Sequence, residues 1–338
     1  MRSNPPSSTL IGIASCVASF LAGVAYADGF VRGSSRGPGI AVFTRSTDVQ
    51  RIEFAPDGEH FDVVIEDPSL SIYDVVVLAD GALLIAREAH NDRTQASAVK
   101  VTRVLGKDHR EVTLPRSPMF SDAHFTSNGD HVVLANAGGA FRSEDGGRSW
   151  TRAGAWKADG YAFYAASLWL DDAGAIDVLA PVFNTCGSSD LLEDLTRLKL
   201  DPSGVASRSR LSYDKLDGPW SAAVGRHGFL YSTSHFPDGC ALRVHARGET
   251  KTIDPGGADF GGPCYVTSQD NGRFNVLQFG SRLFRANGAS VTYLGDGGEE
   301  ILDAYPDNRG RALVLHRDGR VVRHGSKAEP VLVKAARP

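Results

Sequence analysis

Three aspartates recur at one offset: Asp74, Asp122 and Asp303 each stand seven residues before a glycine, at Gly81, Gly129 and Gly310. The same count back from Gly174, Gly228 and Gly272 lands on Ser167, Ser221 and Tyr265. Carboxylates at equivalent places of a repeat can converge, and oxygen-only ligand sets of that kind suit Ca²⁺. A converging pair can also divide acid and base roles, as in cleavage of a glycosidic bond. The competing expectation is structural: each aspartate accepts hydrogen bonds from backbone N–H groups of its own loop. Equivalent positions are also what repeat duplication leaves behind.

A second set of polar and aromatic residues lies between the repeats. Arg87-Glu88-Ala89-His90-Asn91-Asp92-Arg93 links two apolar stretches, Asn184-Thr185-Cys186 opens the longest insertion, and Ser234-His235-Phe236 holds the corresponding place in the next copy. Long loops on a rigid scaffold often carry binding residues. His90, Arg93, Tyr164, Trp220, His235 and Tyr265 suit contacts to a sugar or a peptide, whereas a histidine on a loop is also commonly idle in solvent. No G-x-S-x-G, H-E-x-x-H or P-loop pattern occurs, which leaves no recognisable nucleophile, zinc or nucleotide site.

The elements that position these residues are short strands. One unit runs Asp74-Val-Val-Val-Leu-Ala-Asp-Gly81 into Ala82-Leu-Leu-Ile-Ala86, and another runs Asp122 to Gly129 into the stretch from His131 to Ala135. Further copies end at Gly174, Gly228, Gly272 and Gly310. Glycine at that place supplies the positive φ of a tight hairpin turn. Each unit continues into a second hairpin, such as Ala98–Val101 with Val112–Leu114, or Arg320–Arg323 with Val331–Val333. Helical periodicity is confined to one short candidate, Asp190 to Leu198. A spacing of roughly 40 to 55 residues is that of four-stranded propeller blades. Six units are visible, and the N-terminal stretches Ile40–Phe43, Arg51–Phe54 and Phe61–Val64 supply most of a seventh. The expected fold is therefore all-β, a single β-propeller with seven blades favoured over six. Ring closure would bring Asp303 beside Asp74, which makes that pair the expected metal ligands.

Ser143-Glu144-Asp145-Gly146-Gly147-Arg148-Ser149-Trp150 fits S-x-D-x-G-x-[ST]-W. On that motif the chain resembles the Asp-box (BNR-repeat) β-propellers of the sialidase-like superfamily, which include sialidases, some glucan hydrolases and non-enzymatic assembly factors. The resemblance implies that Ser143, Asp145, Gly147 and Trp150 brace an outer turn between third and fourth strands, away from the binding face. A degenerate copy is expected at Ser46 to Ile52. The chain has no Phe/Tyr-Arg-Ile-Pro segment and no assignable arginine triad, so the resemblance implies the scaffold without the sialidase catalytic set.

Bulk properties bound the partners. With 36 basic and 40 acidic residues the net charge is −4, and without Lys/Arg runs there is no counterion release to gain on nucleic acid. Arg2, the apolar run Leu10 to Val24 and Ala25-Tyr26-Ala27 before Asp28 read as a signal peptide over residues 1–27. The propeller domain then spans residues 28–338, secreted or periplasmic, with no membrane span after cleavage. Retention as an anchor, or lipoprotein processing at Ile13-Ala14-Ser15-Cys16, are the rival readings. Export leaves Cys186, Cys240 and Cys264, a count that suits one disulfide and one free thiol. Placement on adjacent blades favours Cys240–Cys264, with Cys186–Cys240 as the alternative. The expected protein is monomeric, needs no cofactor beyond a Ca²⁺ the aspartates would hold, and binds a protein or glycan. The rival function is a glycoside hydrolase or lyase using two of the three aspartates.

Overall fold

The computed structural model describes residues 29–46, 49–67, 71–89, 98–114, 123–136, 139–154, 162–163, 167–183, 192–204, 206–211, 219–225, 230–236, 239–246, 249–253, 264–268, 272–288, 290–326 and 328–336. The alternation of apolar stretches and turn glycines resolves into antiparallel hairpins throughout. Among the described residues the strands form seven sheets, called A to G in chain order. Sheet A contains β1 (Gly29–Gly33), β2 (Ile40–Arg45), β3 (Gln50–Ala55) and β4 (Asp62–Asp67). Sheet B contains β5 (Ile72–Val77), β6 (Leu83–Ala89), β7 (Ala98–Leu105) and β8 (Asp108–Thr113). Sheet C contains β9 (His124–Asn128), β10 (His131–Asn136), β11 (Gly139–Ser143) and β12 (Thr151–Gly154). Sheet D is irregular, because β13 (Ala162–Phe163) and β14 (Ser167–Leu170) both pair with β15 (Ile176–Phe183), followed by β16 (Leu192–Leu200) and β17 (Ala206–Leu211).

Sheet E contains β18 (Pro219–Val224), β19 (Leu230–Phe236), β20 (Gly239–Ala246) and β21 (Glu249–Ile253). Sheet F contains β22 (Cys264–Ser268), β23 (Asn275–Phe279), β24 (Arg282–Asn287) and β25 (Ser290–Asp296). Sheet G contains β26 (Ile301–Pro306), β27 (Ala312–His316), β28 (Val321–Gly325) and β29 (Ala328–Lys334). Each sheet packs on the next in chain order, and β26 and β27 of sheet G pack back on β1 of sheet A. The result is a β-propeller of four-stranded blades.

Burial explains why the inner strands read as unbroken apolar runs. Strands of a blade are covered on both faces by neighbouring blades, so β27 and β23 are buried at every position while the outermost β4 is largely exposed or half-buried. The core is correspondingly divided into interfaces. One cluster joins sheets A and B through Phe54, Val75 and Ile85, and another joins B and C through Leu84, Leu134 and Phe141. Others join C and D, E and F, F and G, and G and A. Burying one Leu, Ile or Phe side chain in such a seam contributes about 1.5–3 kcal/mol.

The turn glycines have the expected backbone. Gly81, Gly129, Gly174, Gly272 and Gly310 all have positive φ, between 63° and 83°, and Gly228 lies outside the described residues. Two expectations need correction. Asp190 to Leu198 is not helical: β16 covers most of it, paired to both β15 and β17, and its second half alternates buried Leu198 and Leu200 with exposed Lys199. The degenerate copy at Ser46 to Ile52 falls on the β2–β3 connection, where Ser46 Oγ accepts from Val49 N–H at 3.2 Å. The β3–β4 turn of sheet A is instead braced by Asp57, whose carboxylate accepts from the Glu59 and His60 N–H groups, each at 2.9 Å.

The turn over residues 144–150 lies between the third and fourth strands of sheet C. Asp145 Oδ1 accepts from Ser143 Oγ at 2.8 Å and from the Arg148 and Ser149 N–H groups at 2.9 Å, while Oδ2 accepts from Ser149 Oγ at 2.6 Å. Ser143 Oγ in turn accepts from Gly147 N–H at 2.7 Å. Trp150 donates Nε1–H to Gly147 O at 3.2 Å and packs tilted against Phe125, 6.3 Å between centroids. Gly147 has φ 83°, and a Cβ there would stand 2.6 Å from Leu84 Cδ2 of sheet B. The buried guanidinium of Arg103, from the third strand of sheet B, donates to Gly146 O at 2.9 Å. The turn is thus a docking element between two blades.

Sheets A and G meet without sharing a strand, since β1 to β4 and β26 to β29 form complete separate sheets. A buried ion pair reinforces this seam: Lys334 Nζ stands 3.1 Å from Glu53 Oε2, with side chains 7% and 2% exposed. Lys334→Ala removes the buried cation facing Glu53, and a loss of about 3–5 kcal/mol is expected in urea unfolding. Replacing both residues by leucine is expected to cost less than that single change.

The second prediction concerns Asp145. Burial of the carboxyl disfavours its charge, but the bonds from Ser149, Ser143 and Arg148 outweigh this and lower its pKa from 3.8 to about 2. Its folded value lies below its unfolded one, so its contribution is full above about pH 4 and is lost as pH falls towards 2. Asp145→Asn should lower Tm at neutral pH and shallow the acid limb of a Tm-versus-pH curve in that window.

Candidate functional site

The free edge of each innermost strand faces the central channel and presents backbone N–H groups that no further strand can pair. The repeated position supplies acceptors for them. Asp74 Oδ2 on β5 accepts from Phe125 N–H on β9 at 2.9 Å, and Asp303 Oδ2 on β26 accepts from Val31 N–H on β1 at 2.9 Å. Ser167 Oγ on β14 does the same for Val224 N–H on β18, at 3.0 Å. In all three cases the acceptor on one blade serves the inner strand of the next. The loop-capping alternative is therefore corrected: Asp74 and Asp303 bond backbone groups, but those of a neighbouring blade. A register shift at Ile72/Asp74 and at Ile301/Asp303 marks both positions, and such bulges re-aim a side chain.

Asp74 and Asp303 are not on adjacent blades. Sheet A stands between them, and Arg32 of β1 bridges the two. Arg32 Nη1 donates to Asp303 Oδ2 at 2.9 Å, and Nε stands 3.4 Å from Asp74 Oδ1. The guanidinium carbon also lies 4.7 Å from the Phe30 ring centroid and 5.1 Å from that of Tyr305. A planar cation held by carboxylates and aromatic faces at once is a fixed one. His124 adds a ring nitrogen 4.0 Å from Asp74 Oδ2. Burial pushes the Asp303 carboxyl above its ordinary range, opposed by Arg32 and by the N–H of Val31. Chemically, this is a cation-bridged carboxylate pair at one mouth of the channel, with a half-exposed imidazole beside it.

The remaining expected site residues divide by what the structure describes. Tyr265, on β22, is exposed at 41% on the innermost strand of sheet F. Trp220 and His235 lie on β18 and β19, and Cys240 and Cys264 on β20 and β22; their side chains fall outside the described set, as does any pairing of the two cysteines. Asp122, His90, Arg93 and Tyr164 lie outside the described residues. Among the described residues no cluster of three or more His, Cys, Asp or Glu side chains is arranged to hold a metal ion.

Arg32 was not anticipated from the sequence, although signals existed. It is the one charged residue of Gly29-Phe30-Val31-Arg32-Gly33, and it too stands seven residues before a glycine, Gly39. Neither Gly37 nor Gly39 has positive φ, unlike the turn glycines of the other copies. The 34–39 loop links sheets A, C, D and G. Arg36 Nη2 donates to Asn128 Oδ1 of sheet C at 2.8 Å, Asn128 Nδ2 continues to Asp172 Oδ1 of sheet D at 2.8 Å, and Asn308 Nδ2 of sheet G holds Gly37 O at 2.9 Å.

No protein-family model matches this chain, and no curated protein matches it by sequence. Solved structures do resemble it in fold. YCF48 from Cyanidioschyzon merolae superposes with a TM-score of 0.54 at 12% identity, over 88% of this chain and 92% of that one. The uncomplexed acylaminoacyl peptidase of Pyrococcus horikoshii gives 0.54 at 11% identity over 91% of this chain, which spans only 53% of the peptidase. A chain of the mitotic checkpoint complex gives 0.51 at 12% identity, over 89% and 90% of the two chains. At such identities the likeness is one of fold, a β-propeller.

Asp74→Ala removes the acceptor of the Phe125 N–H and one of the two carboxylates facing Arg32. A loss of about 2–3 kcal/mol is expected, read as a shift of the urea midpoint, with Asp74→Asn costing less because it keeps an acceptor oxygen. Equal midpoints for the alanine variant and the parent would remove the inter-blade bond as a stabilising element.

Proposed function

We propose that this chain is an exported, monomeric, seven-bladed propeller that binds a protein or a glycan through its loop-rich face and performs no covalent chemistry. The observation that carries this reading is the engagement of Asp74 and Asp303. Each carboxylate serves a neighbouring strand's N–H, and Arg32 occupies the space between them. A hydrolytic pair needs that space for the glycosidic oxygen and a water or anomeric carbon. Arg32 also supplies the positive charge that Ca²⁺ would otherwise bring. His90, Arg93, Tyr164, Trp220, His235 and Tyr265 are the residues this reading assigns to the binding face. The Asp-box reading of residues 143–150 assigns that turn to scaffolding. Export rests on residues 1–27, which precede β1 at Gly29.

The alternative reading is a glycoside hydrolase or lyase. Asp303 and Asp74 stand on either side of Arg32, and burial holds the Asp303 carboxyl above its ordinary range, which suits a general acid; Asp74 or Asp122 would then be its partner.

The test uses the exported form, whose N-terminus is expected at Asp28 by sequencing. Incubation with a panel of oligosaccharides is expected to release no new reducing ends, and Ca²⁺ or EGTA is expected to leave Tm unchanged. Sugar release that disappears in Asp303→Asn would instead establish the hydrolase, and a Ca²⁺-dependent rise in Tm that disappears in Asp74→Asn would establish a metal at the mouth.

A further inference from the structure

A cleft of about 260 Å³ lies between sheets A and G at the far end of the inner strands, and its walls carry three arginines, Arg309, Arg311 and Arg323, against three acids, Asp57, Glu59 and Asp307. The charges balance in number but not in pairing. Asp307, 5% exposed, is committed to Arg311, whose Nε and Nη2 approach its Oδ2 at 2.8 and 2.7 Å, and it also accepts the Arg309 and Arg311 N–H groups at 2.9 Å each. Arg323 receives what is left: its Nε stands 3.4 Å from the same Oδ2. That Nε is buried and has no hydrogen-bond partner among the described residues. A buried donor left unmade costs about 1–3 kcal/mol, and the Arg323 guanidinium, which lines the cleft, has its charge met only by an Asp307 already held by Arg311. Burial and the neighbouring Arg311 both disfavour the Arg323 charge, so a negative group there is electrostatically wanted.

We infer that this seam cleft is a binding site for a small carboxylate-bearing molecule, held by Arg323 and Arg309. The volume is below that of a drug-sized pocket and the lining is polar, which suits a compact polar ligand. Asp57 and Glu59 on the facing wall disfavour a dianion such as phosphate and favour a singly charged carboxylate, with a hydroxyl or ammonium group at its other end. The site is distinct from the channel mouth and does not rest on the function proposed above. Because one wall belongs to the first sheet and the other to the last, an occupant bridges the seam where no shared strand closes the ring. Binding therefore stabilises the folded ring by mass action.

The experiment is a thermal-shift series on the exported protein with acetate, glycine and inorganic phosphate, each against chloride at equal ionic strength. Acetate or glycine at saturation is expected to raise Tm by about 2–4 °C. Arg323→Gln is expected to abolish that rise. Because Arg323→Gln could itself disturb the seam, Arg309→Gln serves as the second variant: Arg309 is exposed, so the variant's own Tm should match the parent while the ligand-induced rise falls by at least half. A rise equal to that in chloride, or one kept in full by Arg309→Gln, would overturn the site. A larger rise in phosphate than in either carboxylate would overturn the carboxylate assignment.

Discussion

An innermost propeller strand has one edge that no strand can reach, and its N–H groups must nevertheless find acceptors in a partly desolvated channel. In this protein the acceptors are side chains of the preceding blade. Asp303 serves sheet A, Asp74 serves sheet C and Ser167 serves sheet E. The rest of the structure depends on this constraint. It fixes how far one blade rotates against the next, and through that rotation it fixes which apolar faces meet in the interfaces. A carboxylate at this place is therefore structural first, and whatever chemistry the channel performs must be built around it.

The same constraint acts most sharply where the ring closes. Many contacts between sheets A and G are apolar, with Val31, Val42, Tyr305 and Leu315 in one cluster, yet they are not covalently continuous. Polar links are concentrated there: Arg32 to Asp303, Lys334 to Glu53, and Asn308 to Gly37. Apolar packing alone is non-directional. Hydrogen-bonded ion pairs with one good geometry define a register, and the seam is where register has no shared strand to define it.

The parts of this fold readable from sequence were those with local causes. Positive-φ glycines at Gly81, Gly174 and Gly310, the apolar runs of inner strands such as Val75-Val76-Val77, and the serine–aspartate brace at residues 143–150 follow from a few adjacent residues. The offset of seven also singles out Asp74, Ser167 and Asp303, which share one kind of bond to the next blade. Their roles were not readable, because the partner of each carboxylate lies more than fifty residues away or across the closure, at Phe125 and at Val31. Arg32 escaped for a related reason: its partners Asp74 and Asp303 lie on other blades, and neither glycine of the turn after it has positive φ. Asp190 to Leu198 was misjudged because an apolar run with charges interspersed satisfies either period until its neighbours are known.

The loop over residues 34–39 ties together blades that are not chain neighbours. Arg36 joins sheet A to Asn128 of sheet C, and Asn128 joins sheet D through Asp172. Both bonds are exposed to solvent, whereas the seams between blades are apolar and dry. Water competes for such exposed bonds first, so this end of the ring opens locally at a lower free energy than the seams beneath it.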